Sequence, residues 1–278
     1  MSEAVLYREQ LHTPELIYWG VCASMLAGFI VTLAFAAFDG RTIDGEVSVW
    51  AKPLKFELSL AIHAATLALV MAALSPSVRS STLLTILAFT FLAACIVEMG
   101  YIISQAARAE HSHYNVSTPF NRMMWSVMAF AAIIIVGAAG ALGIAAIVGS
   151  DTSLAPALRW AIALGLIGGT LLTLYTAFTI GGRMTPYVGA IPDGNTARMV
   201  LTGWSLTGGD LRVAHFLATH MIQVVPLVGL AVAYLAPGRV GVALVIVVAT
   251  IWTGLTLSEY VRALEGRSSP LALSFASQ

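Results

Sequence analysis

The chain has 278 residues, of which 58% are hydrophobic and 10% charged, and its mean hydropathy is +0.86. Soluble domains carry about a quarter charged residues, so the composition argues against a water-soluble globular enzyme. The 14 basic and 14 acidic residues cancel, which leaves no basic face for nucleic acid.

The first residues, Met1 to Ala4, bring an acid rather than a basic stretch before the first apolar run. A cleaved signal peptide is therefore not expected. Spanning a bilayer core takes about 20 apolar residues per helix, and seven stretches qualify: 15–38, 53–75, 82–105, 122–148, 157–180, 211–235 and 239–261. Turn chemistry separates them, at Asp39-Gly40, Ser75-Pro76, Thr118-Pro119, Gly149-Ser150, Gly181-Gly182 and Pro237-Gly238. Pro53 suits a first helical turn, Asp210 an N-cap, and Pro226 a possible break in the sixth span. Barrel-type alternation is absent. The expected class is all-α, one seven-helix transmembrane domain over 1–278 without internal repeats. Cys22 and Cys95 lie in apolar runs with no metal or disulfide spacing.

Lys and Arg sort by side. With seven spans, the N-terminal side holds Arg8, Arg79, Arg159 and Arg239. The other side holds Arg41, Lys52, Lys55, Arg108, Arg122, Arg183, Arg198, Arg212, Arg262 and Arg267. Ten against four predicts a cytoplasmic C-terminus and a periplasmic N-terminus in a bacterial inner membrane.

The polar residues inside the spans form stripes. Lys52, Lys55, Ser59, His63 and Thr66 share one face of the second span, and Glu98, Tyr101, Gln105 and Arg108 one face of the third. The fifth carries Thr173, Thr176, Thr179 and Arg183. The sixth carries Asp210, Arg212, His215, Thr219, His220 and Gln223, and the seventh Trp252, Thr256 and Glu259. All lie toward the cytoplasmic half. His63, Glu98 and His220 each sit about 15 Å in from that edge, near the middle of the core. Ionisable groups at that depth face the bundle interior and mark function. They are expected to approach one another, with His113 or His215 closing the cavity above them. Small-residue runs at 137–140 and 165–169 point to close helix packing, and Asp210 is expected to pair with Arg212.

Three stretches carry a resemblance: Trp50-Ala-Lys-Pro-Leu-Lys-Phe56, Gln105-Ala-Ala-Arg108 with Ser112-His113-Tyr114-Asn115 and Thr118-Pro119-Phe120, and Gly203-Trp204-Ser205 with Gly208-Gly209-Asp210-Leu211-Arg212, His215-Phe216 and His220. In these the chain resembles a widespread group of uncharacterised bacterial multi-pass membrane proteins. The similarity runs from the second span through the sixth. Members usually have Gly at 109, Phe at 114 and Asp at 121, where this chain has Ala109, Tyr114 and Asn121. The resemblance implies membership and no activity.

The residues suggest a membrane oxidoreductase holding haem b or a non-haem iron or zinc ion. His63, His220, His215 and His113 are its candidate ligands and Glu98 its candidate catalytic group. Arg108, Arg212, Lys55 and Gln223 would bind the cofactor's periphery or a quinone, and Lys52 could join the basic rim. One alternative is a proton-coupled transporter, or a lipid- or anion-binding protein, in which Glu98 and His63 relay protons. Another is a sensor or assembly factor without catalysis. Membrane lipid is an expected partner, and a homo-oligomer is possible on this reading. The only lysines are Lys52 and Lys55, so no retinal Schiff base can form in the seventh span. The His215/His220 spacing misses the i, i+4 pair of zinc enzymes.

Overall fold

In lipid a backbone satisfies its polar groups only within helices or closed barrels, and a computed structural model of the chain resolves the apolar runs as seven long helices. It describes residues 11–43, 47–151, 153–193, 197–199, 201–236 and 238–273. The long helices are α1 (Thr13–Phe38), α2 (Ala51–Ala72), α4 (Thr82–Ala107), α5 (Pro119–Gly149), α6 (Pro156–Arg183), α7 (Leu211–Leu235) and α8 (Arg239–Leu264). Each is long and apolar enough to cross a membrane, so the protein is an all-α, multi-pass integral membrane protein in contact with lipid. Two four-residue helices, α3 (Pro76–Arg79) and α9 (Pro270–Leu273), flank them. Two antiparallel strand pairs complete the described elements: β1 (Thr42–Ile43) with β2 (Val47–Ser48), and β3 (Tyr187–Val188) with β4 (Gly209–Asp210).

Several helices start or stop a few residues beyond the apolar runs, because caps and not hydropathy set their ends. The Thr118 and Ser81 hydroxyls accept from the backbone N–H groups of Asn121 and Leu84, and Asp210 accepts from Arg212. Arg8 and Pro237 lie outside the described residues.

The long helices fall into two groups. In one, α2 packs on α1 and α4; in the other, α6, α7 and α8 pack on one another. Helix α5 joins the groups between α4 and α6, and α2 approaches α7 more lightly. Glycines set the tight contacts of the second group. A Cβ at Gly169 would lie 2.6 Å from Ile222 Cγ1 and 3.0 Å from the Ile222 nitrogen, and one at Gly165 would lie 2.6 Å from Pro226 Cδ. Helix α7 does not break at Pro226; the absent side chain at 165 makes room for the proline ring. At the end of the bundle opposite the long loops, Arg79 and Glu15 form a buried ion pair of 2.8 Å between α3 and α1. Arg79, counted among the basic residues of that side, is thus committed to packing.

Candidate functional site

The loop-rich end of the bundle is where α1, α4, α6 and α8 finish and α2, α5 and α7 begin. The three sequence stretches from 50–56, 105–120 and 203–220 converge there. The Lys55 ammonium donates to the Thr202 carbonyl at 3.1 Å. His113 packs edge-on against Phe56 and Trp125, with ring centroids 5.6 Å apart in each case. Tyr114 packs with Leu211, Ala214, Tyr260 and Ala263 at the junction of α7 and α8.

The 203–212 stretch is chiefly structural. Asp210 caps α7, pairs with Arg212 at 2.6 Å, and accepts from the Ser205 backbone at 2.9 Å. The Ser205 hydroxyl accepts from the Gly208 backbone at 3.0 Å. Arg212 also donates to the Gly203 carbonyl at 2.8 Å and to the Tyr187 hydroxyl at 3.1 Å. Gly209 lies against the Ala263 carbonyl so closely that no side chain fits. The expected Asp210–Arg212 pair is therefore present, and it occupies Arg212 as a strut of the loop.

The 105–120 stretch wraps the end of α4. Gln105 donates to the His111 carbonyl at 3.1 Å and to Glu110 at 3.2 Å, and Tyr101 donates to Asn121 at 3.2 Å. Asn121 thus acts as a neutral acceptor. Ala109 follows the C-cap of α4 with φ +58°, a left-handed position that favours glycine. Tyr114 has φ +59°, which is costly for a bulky side chain; it turns the loop so that His113 faces Phe56. Burial pushes the Tyr114 hydroxyl up to about 12. Burial, then the Lys52 charge, hold His113 well below its ordinary pKa. Its imidazole is accordingly neutral.

Inside this frame lies the polar centre. Lys52, in the first turn of α2, is near enough to Glu98 on α4 for each to feel the other's charge, and Lys52 also acts on His113. The Lys52 ammonium is 5.8 Å from the Phe56 ring centre. Glu98 is buried at 2% exposure, and its Oε2 is enclosed without a hydrogen-bond partner among the described residues. Lys52 and Glu98 form no ion pair. An amine and a carboxyl group thus lie within electrostatic range of each other with no ion pair between them, in a setting where an unpaired charge is costly.

The histidines form a second group, further along α2 and α7. His63 bonds the Ile135 carbonyl through Nε2 at 3.1 Å and stacks on Phe91. His215 Nδ1 meets the Thr176 hydroxyl at 2.9 Å. His220 Nδ1 bonds its own helix at the Phe216 carbonyl, 2.8 Å away, and stacks on that ring. His220 acts electrostatically on both His63 and His215, so α2 and α7 bring these three into one neighbourhood. Glu98 is electrostatically tied to Lys52 and Cys95 instead. Among the described residues, no three His, Cys, Asp or Glu side chains gather as a metal ligand set, and each of these imidazoles directs one nitrogen to a local partner.

Of the remaining candidates, Arg108 is an exposed C-cap of α4. Gln223 is buried on α7 one turn beyond His220. The sequence reading did not single out Glu57, which is 1% exposed in α2; an acid flanked by apolar residues two turns into a span was the signal for it. No protein-family model, curated protein or solved structure matches the chain.

Proposed function

We propose that the protein is a proton-coupled carrier of a small anion, loaded from the loop-rich end, with Lys52 receiving the anion and Glu98 the proton. One observation carries this reading: an amine and a buried carboxyl group on neighbouring helices, within electrostatic range and without a bond between them. An anion on Lys52 would cancel the positive neighbour of Glu98 and draw a proton to the carboxylate. Protonation would in turn remove the negative charge that competes for Lys52. The two events then favour each other by the same factor, as linkage requires. Neutral His113 lines the path beside Lys52, and Lys55 and Arg212 add positive potential at the entrance.

The ten-to-four basic asymmetry supports placing this entrance and the C-terminus in the cytoplasm of a bacterial inner membrane, with the N-terminus periplasmic. The three motif stretches meeting at this end are consistent with membership in the group they resemble. For an oxidoreductase built on His63, His113, His215 and His220 there is less support, since among the described residues no three of these side chains gather as a ligand set.

Binding is tested by thermal unfolding of the detergent-solubilised protein with inorganic phosphate, succinate or glutamate. At least one should raise the midpoint, more at pH 6 than at pH 8. Lys52→Met should abolish the shift, and Glu98→Gln should abolish its pH dependence. No shift with any of the three, or an unaltered shift in Lys52→Met, would contradict the proposal.

A further inference from the structure

A second carboxyl group lies buried where the proposed pathway does not run. Glu57 projects from α2 against α1, where its Oε1 accepts a 2.8 Å hydrogen bond from the Thr32 hydroxyl. Both residues are buried, at 1% and 5% exposure. Glu57 Oε2 is enclosed with no hydrogen-bond partner among the described residues. Gly28 completes the slot: a Cβ there would lie 3.0 Å from Oε1, so the carboxyl rests directly on the α1 backbone.

This slot is separate from the Lys52–Glu98 centre. Around α2, Lys52 and His63 fall within about 20° of each other, and Glu57 lies about 140° from Lys52. Glu98 on α4 acts on Lys52, and His220 on α7 acts on His63, both on the far face of α2. From α1 the polar group facing Glu57 is Thr32, with no cation in contact. Helix α5 brings no titratable side chain to α2 within the bilayer. The slot is covered by α1, whose outer residues Leu26, Ile30, Val31, Leu33 and Phe35 are 45–69% exposed.

An ionised carboxylate with one hydroxyl donor and no cation is costly in such a place, whereas a carboxylic acid is neutral. We infer that Glu57, Thr32 and Gly28 form a second proton-binding site, with Glu57 as the carrier, reached from the lipid through the α1–α2 interface. Thr32 fixes which oxygen stays an acceptor, and the absent side chain at Gly28 lets the acid seat against α1. The site stands independently of the Glu98 reading.

A hydrophobic carbodiimide, which partitions into lipid and modifies protonated carboxyl groups, tests this on the full chain in vesicles, with the modified residue located by peptide mass spectrometry. Wild type should carry the adduct on Glu57 at pH 6, with at least fivefold less at pH 9. Glu98→Gln should leave that adduct unchanged, which separates failure of this site from failure of the Glu98 proposal. Gly28→Leu, which fills the slot, should lower it severalfold, and Glu57→Gln should remove it. Wild-type Glu57 unmodified at pH 6, or modified equally at pH 6 and pH 9, would overturn the inference. Because wild type decides, the result does not depend on any variant folding.

Discussion

At the residue scale, the decisive feature is what each buried polar group touches. Glu98 and Lys52 were visible in the sequence as members of two polar stripes, and their placement on inward faces follows from helical periodicity alone. Periodicity does not fix how far each helix turns about its axis. Hence equal depth did not translate into contact: His63 turns to the Ile135 carbonyl and Phe91, while Glu98 faces Lys52. His113 was legible as a histidine in a loop, but its cage of Phe56, Tyr114 and Trp125 depends on residues distant in sequence and on the left-handed Tyr114. The cage has a pH consequence. A histidine whose pKa is depressed in the fold stays neutral there, while the unfolded chain takes up a proton near pH 6.5. The unfolded state then binds more protons, so stability falls as pH drops below about 6.5. The unfolding midpoint of wild type should decline between pH 7 and pH 5, and His113→Phe should flatten that decline. An equal decline in the variant would place the responsible group elsewhere.

At the scale of elements, the seven helices were readable because each apolar run exceeds the bilayer core and is bounded by turn residues. Their ends were less readable, since capping hydroxyls such as Thr118 extend helices past the apolar stretch. The α6–α7 contact was signalled by the glycines at 165, 168 and 169, although the nesting of Gly165 against Pro226 was not. Filling that contact should be costly. Gly169→Ala places a methyl group 2.6 Å from Ile222 Cγ1 with backbone close behind, and overpacking of this kind costs about 1–3 kcal/mol. A Cβ at Gly137, on α5, meets nothing within 4 Å, so Gly137→Ala should be neutral or stabilising by up to about 1 kcal/mol from helix propensity. Denaturant titration of the two variants in mixed micelles checks the contrast. Equal effects would mean that α6 and α7 are not pressed together at Gly169.

At the scale of the whole molecule, two helix groups are joined through α5 and approach each other along α2 and α7. The charged centre sits near the end of that approach, under loops anchored by Lys55, Arg212 and Asp210. On the proposed carrier reading, opening and closing of this seam would expose Lys52 and Glu98 to one side and then the other. The most direct test is proton flux in vesicles containing the purified protein and a trapped pH-sensitive dye, driven by an inward gradient of the anion that stabilises wild type. Wild type should acidify the lumen at a rate that rises with the anion gradient. Glu98→Gln should lose the acidification while still binding the anion, and Lys52→Met should lose both. Acidification that persists in Glu98→Gln, or a wild type that moves no protons with a bound anion, would contradict the account.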